Sequence, residues 1–204
     1  MQEINRHEGD AGNCPGEEGK SYELALSYIN GGRYSEAVGI LDGLIEKDRR
    51  NVNALYSRGV AHMSSGNYRQ AGQDFLRTVA LDREFLNAYK NLGFVQLTMG
   101  KEDAAITTLE RALEIDPAYV DAYCLLGDVY IDAGEYDKAR AVIEKALELE
   151  PDGAEPHCKM AMYCLSQGDF RGLKKQYTIL KHLDPALAAQ IGGLFFDETP
   201  DENG

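Results

Sequence analysis

The sequence predicts an all-α fold of five tandem helix-turn-helix repeats, closed at the C-terminal end by a capping helix. Three observations carry this. Glycine returns at Gly32, Gly66, Gly100, Gly134 and Gly168, every 34 residues with no insertion. In step with it, a large apolar residue returns at Leu41, Phe75, Leu109, Ile143 and Tyr177, and a small one at Ala37, Ala71, Ala105 and Ala139, with Leu173 at the fifth step. Within a period, apolar residues recur at helical spacing on both sides of the glycine.

In chain order, residues 1–17 are polar, acidic and rich in Gly, which predicts a disordered segment. They hold no apolar h-region, and Cys14 follows Gly and Asn, so neither a secretory nor a lipoprotein signal is expected and the simplest compartment is the cytoplasm. The repeats occupy 18–51, 52–85, 86–119, 120–153 and 154–187, or 170 of the 204 residues. In the fourth, Tyr123, Leu126, Val129 and Tyr130 mark a first amphipathic helix, which Gly134 breaks. Ala139, Val142, Ile143, Ala146 and Leu147 mark a second, which Pro151 stops. Gly59, Gly93 and Gly127, with the alanine ladder, place small residues where two antiparallel helices must approach closely. The glycine at each turn supplies a positive φ. Pro117, Pro151 and Pro185 close the last three periods, whereas the first two have Arg49 and Arg83 there. Beyond them, Leu187, Ile191, Leu194 and Phe195 share a helical stripe, predicting a capping helix over 188–196 for the bare apolar edge of the last pair. Gly192 and Gly193 should weaken that helix by about 1 kcal/mol each. Residues 197–204, DETPDENG, read as a disordered acidic tail.

Charge and motifs narrow the function. Acidic residues outnumber basic ones 34 to 21, a formal charge of −13, so this acidic protein lacks the basic face that nucleic acid requires. No apolar run approaches the roughly 18–20 residues of a membrane span, so no membrane insertion is expected. Gly100-Lys101 lacks the flanking Gly and Ser or Thr of a phosphate loop, and no dinucleotide, nucleophile-elbow or zincin motif occurs. The four cysteines include no C-x-x-C pair with histidine at ligand spacing. No catalytic residue, metal or cofactor is predicted, and the chain reads as not an enzyme. Arg58 and His62 stand four apart on one helix face where other repeats are apolar; the reading is an Arg stem that packs while its head reaches Asp74 or solvent.

The ladders resemble the tetratricopeptide repeat family, whose 34-residue unit runs W-x2-L-G-x2-Y, then Gly, Ala, a large apolar residue, Ala and Pro. The fourth repeat matches through Leu126, Gly127, Tyr130, Gly134, Tyr136, Ala139, Ile143, Ala146 and Pro151, and the third through Leu92, Gly93, Gly100, Ala105, Leu109, Ala112 and Pro117. The outer repeats depart from it, with Ala25 and Ala161 in place of glycine. The resemblance implies a right-handed α-solenoid whose first helices line a concave groove that receives partner segments. Carried onto this chain, the groove residues are Tyr22, Tyr56, Val60, Lys90, Asn91, Phe94, Asp121, Asp128, Asp132 and Lys159. Tyr22, Tyr56, Val60 and Phe94 form an apolar half; Ile29, Met63, Leu97 and Ile131 are read as packing between helices. Asp121, Asp128 and Asp132 form a stripe, read as a solvated acidic face or as a dock for a partner's cation. The family's clamp for a partner's C-terminal carboxylates is absent, since Phe94 follows Lys90 and the next repeat presents Asp121 and Asp128.

The expected function is therefore a non-enzymatic protein-protein interaction scaffold with a peptide or helical segment in its groove. Two alternatives stand beside it. One is a self-assembling homo-oligomer, driven by the Phe195–Phe196 end or by the contrast between the fourth repeat, net −6, and the fifth, net +2. The other is a chaperone or adaptor for a secretion or assembly substrate.

Overall fold

A computed structural model describes residues 16–195, and the readings made above for 1–15 and 196–204, and for the Leu194 and Phe195 side chains, lie outside it. The described residues form eleven α-helices and no strand, in two compact units that divide after Lys101. The first unit holds α1 (Glu17–Asn30), α2 (Tyr34–Lys47), α3 (Val52–Ser64), α4 (Tyr68–Leu81) and α5 (Leu86–Thr98). The second holds α6 (Glu102–Ile115), α7 (Val120–Asp132), α8 (Tyr136–Leu149), α9 (Ala154–Ser166), α10 (Phe170–Leu183) and α11 (Pro185–Phe195).

Within the first unit α1 packs on α2 and α3 on α4, and each pair stacks on the next through α2 with α3 and α4 with α5. In the second, α7 pairs with α8 and α9 with α10; α8 meets α9, α7 meets α9, and α11 lies on α10. This is a solenoid of helical repeats, the all-α class that the 34-residue ladders predict.

The two glycine ladders do different physical work. At the turn, Gly134 has φ 72 and its N–H donates to the Ile131 carbonyl, while the next N–H, of Glu135, reaches back to the Tyr130 carbonyl. That is a Schellman closure, which needs the left-handed conformation at its penultimate residue. A Cβ at Gly134 would meet nothing within 4 Å, so backbone conformation alone demands glycine. Gly127 is the converse: a Cβ there would lie 2.7 Å from Cγ1 of the fully buried Ile143, as one at Gly59 would lie 2.7 Å from the ring of Phe75. These positions hold the first and second helix of a pair in contact.

The core of the first unit gathers Ala25, Leu41, Leu55, Ala71, Phe75, Leu92 and Val95. In the second, Ala161, Cys164 and Leu173 pack together, and Leu180 is covered by Ala188 and Ile191 of α11 with Tyr177 and Leu187 alongside. Gly192 is not merely a weak point of α11, because a Cβ there would strike the Tyr177 hydroxyl at 2.8 Å. The helix begins at Pro185, three residues before the expected start.

A further ladder explains how the repeats without proline still turn. Asp48, Asp82, Asp116 and Asp184 each follow a second helix, and each accepts a backbone N–H through Oδ1 at 2.9 Å, from Arg50, Glu84, Ala118 and Leu187. A side-chain turn of this type stops the helix at Asp48 and Asp82 although Arg49 and Arg83 stand where proline would.

Candidate partner-binding faces

In the first unit the first helices α1, α3 and α5 lie side by side and carry Tyr22, Tyr56, Val60, Lys90, Asn91 and Phe94; of these Tyr22, Tyr56 and Val60 pack in one cluster and Asn91 reaches Tyr56. A repeating contact stitches them. The hydroxyls of Tyr22 and Ser57 are 2.9 Å apart, and Asn91 Nδ2 donates to the Tyr56 hydroxyl at 3.1 Å; each pair is 35 residues apart, one period plus one. Tyr56 also sets its ring 4.7 Å from that of Phe85 and 5.8 Å from that of Phe75. Burial pushes its hydroxyl up to about 12, against the Asn91 hydrogen bond that lowers it, so it stays a neutral phenol. Val60 is buried in the core beside it. Tyr56 and Val60 thus form the floor of this face. Phe94 stands proud of that floor at 41% exposure, with half-buried Leu97 one turn on and Lys90 one turn before it. Ile29 is buried and Met63 half-buried, in line with their reading as packing residues.

Beneath this face lies the polar pair that interrupts the apolar pattern. Arg58 donates from Nε and Nη2 to both carboxylate oxygens of Asp74, at 2.8 and 2.6 Å, and from Nη1 to Asp42 at 2.6 Å. The side chain of Asp74 is only 4% exposed and that of Arg58 18%, so this is a desolvated bidentate pair tying α3 to α4, with Asp42 as a partly exposed tie to α2. The sequence pattern points to Asp74; Asp42 has no signal in the ladders. His62, one turn beyond Arg58, keeps Nδ1 buried without a hydrogen-bond partner, and burial lowers its pKa.

In the second unit, α7 carries Asp121, Asp128 and Asp132 and α9 carries Lys159. The expected acidic face is not wholly solvated, because Asp128 is already paired within the chain. Lys159 Nζ binds Asp128 Oδ2 at 2.7 Å and Glu155 Oε1 at 3.0 Å, and only 18% of the Lys159 side chain is exposed. Burial alone would lower the lysine's pKa, but the two carboxylates carry it above its ordinary value. Burial also pushes Asp128 upward while Lys159 pulls it down. Asp121 is half-buried with a partner of its own. Asp132 is left exposed as the last residue of α7, where a carboxylate opposes the helix dipole and no cation shares the last turn. The pairing of Asp128 with Lys159 joins neighbouring repeats, so no pattern within one repeat reveals it.

Burial raises the pKa of the Cys124, Cys158 and Cys164 thiols, keeping them as protonated packing groups. Among the described residues no group of three His, Cys, Asp or Glu could hold a metal ion, and no helix is long and apolar enough to cross a membrane.

Comparison with known proteins gives this architecture its relatives. Two family models, each described as tetratricopeptide repeat, match residues 22–84 and 96–162. No curated protein matches the chain in sequence. Among solved structures, a thermophilic TPR protein of Thermus thermophilus is similar with a TM-score of 0.75 and 24% identity, over 86% of this chain and 97% of that one. A MamA protein is similar with a TM-score of 0.68 and 23% identity, over 88% and 95%. YrrB, described as a TPR protein with an unusual peptide-binding site, has a TM-score of 0.60 and 18% identity, over 85% and 90%. At these identities the likeness speaks for the fold, and it agrees with the turn glycines, the Gly59 and Gly127 approaches and the helix pairs. The chain belongs to the tetratricopeptide repeat family.

Proposed function

We propose that the chain is a non-enzymatic protein-interaction scaffold that holds a peptide or helical segment on the faces made by its first helices. One observation carries the reading: Phe94 is exposed on α5 while Tyr56, on the adjacent α3, is locked in place by Asn91, Phe75 and Phe85. A large ring held at the surface over a rigid floor is the kind of anchor that buries against a partner's apolar side chain. In the second unit, Asp132 is the carboxylate available to a partner's Lys or Arg, since Lys159 already engages Asp128. A peptide-binding site on a protein of the same fold, YrrB, supports this class of partner.

The test is selection of binders from a displayed peptide library on the wild-type chain, followed by affinity measurement on Phe94→Ala. Loss of about 1–2 kcal/mol, roughly five- to thirtyfold in affinity, with an unchanged helical spectrum is expected. Peptides that bind both proteins equally well would remove the α1–α3–α5 face from consideration. Tyr56→Ala is a poorer probe, because it also strips packing from Phe75 and Phe85.

A further inference from the structure

The second helices of the second unit carry a charge gradient that the groove reading does not use. α6 has four acidic residues and one basic, a net of −3; α8 has three of each; α10 has Arg171, Lys174, Lys175 and Lys181 and no carboxylate, a net of +4. The cations of α8 are already satisfied by their own helix or its turn: Lys138 by Glu135, Arg140 by Glu144 and Lys145 by Glu148. On α6, Arg111 likewise pairs with Glu114. By contrast Arg171, Lys174 and Lys175 are exposed and have no ion pair among the described residues, and Lys181 is exposed above its own Tyr177 ring. Four like charges along one helix repel one another, and a cationic stripe with no ion pair among the described residues, in a chain of net charge −13, favours an external anion.

The counterpart is on the same molecule. Asp103, Glu110 and Glu114 form an exposed stripe on α6 at spacings of seven and four. Asp103 precedes Arg171 by two full periods, so these two residues occupy equivalent positions of α6 and α10 with opposite sign. We propose that the second unit pairs with a second copy of this chain through the outer faces of α6, α8 and α10, about a twofold axis running along α8. A twofold interface is self-complementary: if α10 of one copy meets α6 of the other, the reverse contact forms at the same time. The gradient of −3, 0 and +4 meets its own reversal, with the internally neutralised α8 at the centre. The helices run parallel across the contact, so that Arg171 comes opposite Asp103. Being mostly polar, the contact is steered by charge and sensitive to salt.

The experiment is sedimentation or light scattering of the full chain over a concentration series, at about 50 mM and about 300 mM salt. A dimer that weakens with salt is expected. Lys174→Glu with Lys175→Glu reverses α10, and Asp103→Lys with Glu110→Lys reverses α6; each pair should raise the dimer dissociation constant by about tenfold or more. Mixing the two variants makes both contacts attractive again and should restore a mixed dimer, an outcome that mere misfolding cannot produce. A wild-type chain monomeric at low salt, or a dimer indifferent to both reversals, or failure of the mixture to pair would overturn the proposal. So would a monomeric wild-type chain that binds polyglutamate or phosphatidylserine vesicles through Lys174 and Lys175, since the stripe would then have another occupant. Phe94→Ala leaves this dimer intact and the α10 reversal leaves peptide capture on the first unit intact, so this inference and the peptide-binding reading fail separately.

Discussion

Arg58 occupies a register in which the next two repeats place Leu92 and Leu126, and it survives there because Asp74 meets it with both carboxylate oxygens. The asymmetry of buried pairs decides what substitution would do. Arg58→Ala leaves Asp74 buried and uncompensated, which should cost about 3–5 kcal/mol; replacing both by leucine removes two desolvated charges and should be close to neutral. Asp42 is far more exposed, so Asp42→Ala should cost about 1 kcal/mol or less. Urea denaturation of the three variants checks the order, and a double variant as unstable as Arg58→Ala would show that the pair is needed for more than charge balance. Lys159 follows the same logic in the second unit: two carboxylates hold it charged, and its residue type alone suggested a groove cation free for a partner.

Helix pairs depend on two kinds of glycine, and the two are separable by experiment. Gly134→Ala forces a side chain into the left-handed region at a cost of about 1–2 kcal/mol, and nothing nearby can relieve it because no atom is near. Gly127→Ala overpacks the α7–α8 contact by about 1–3 kcal/mol, and the offending group is identifiable as Ile143. Combining Gly127→Ala with Ile143→Ala should therefore cost less than the sum of the single changes, whereas Gly134→Ala with Ile143→Ala should be additive. Thermal unfolding of the set distinguishes the mechanisms, and additivity in both combinations would contradict the close-approach reading. The sequence already separates the close-approach ladder from the turn ladder; the structure adds the group that each close-approach glycine meets, Phe75 at Gly59 and Ile143 at Gly127. The aspartates at 48, 82, 116 and 184 carry the same period, yet only their bonds to backbone N–H groups reveal them as turn residues, and at Asp48 and Asp82 they stop the helix where no proline follows.

At the scale of the molecule, what repeats was legible and what joins repeats was not. Gly59 with Phe75 and Gly127 with Ile143 solve the same approach problem at the same spacing, a small residue against a large apolar one, and so predict the helix pairs. Contacts from one repeat to the next, Tyr22 with Ser57 and Tyr56 with Asn91, recur one period plus one apart, but the partner changes from Ser to Asn and Lys90 ends the tyrosine series, so no long ladder announces them. Stability in such an array is a sum of intrinsic and nearest-neighbour terms, so a terminal helix protects chiefly the pair it touches. α11 touches α10 through Ala188 and Ile191 over Leu180, with Cys158 of α9 packed alongside. Ile191→Asp would place a charge in that contact and lift α11 away. Hydrogen exchange followed by mass spectrometry should then show α9 and α10 opening about tenfold or more faster, for each roughly 1.4 kcal/mol lost, with α3 and α4 unchanged. Equal acceleration in α3 and α4 would mean that the array unfolds as one cooperative body, and the nearest-neighbour account would have to be abandoned.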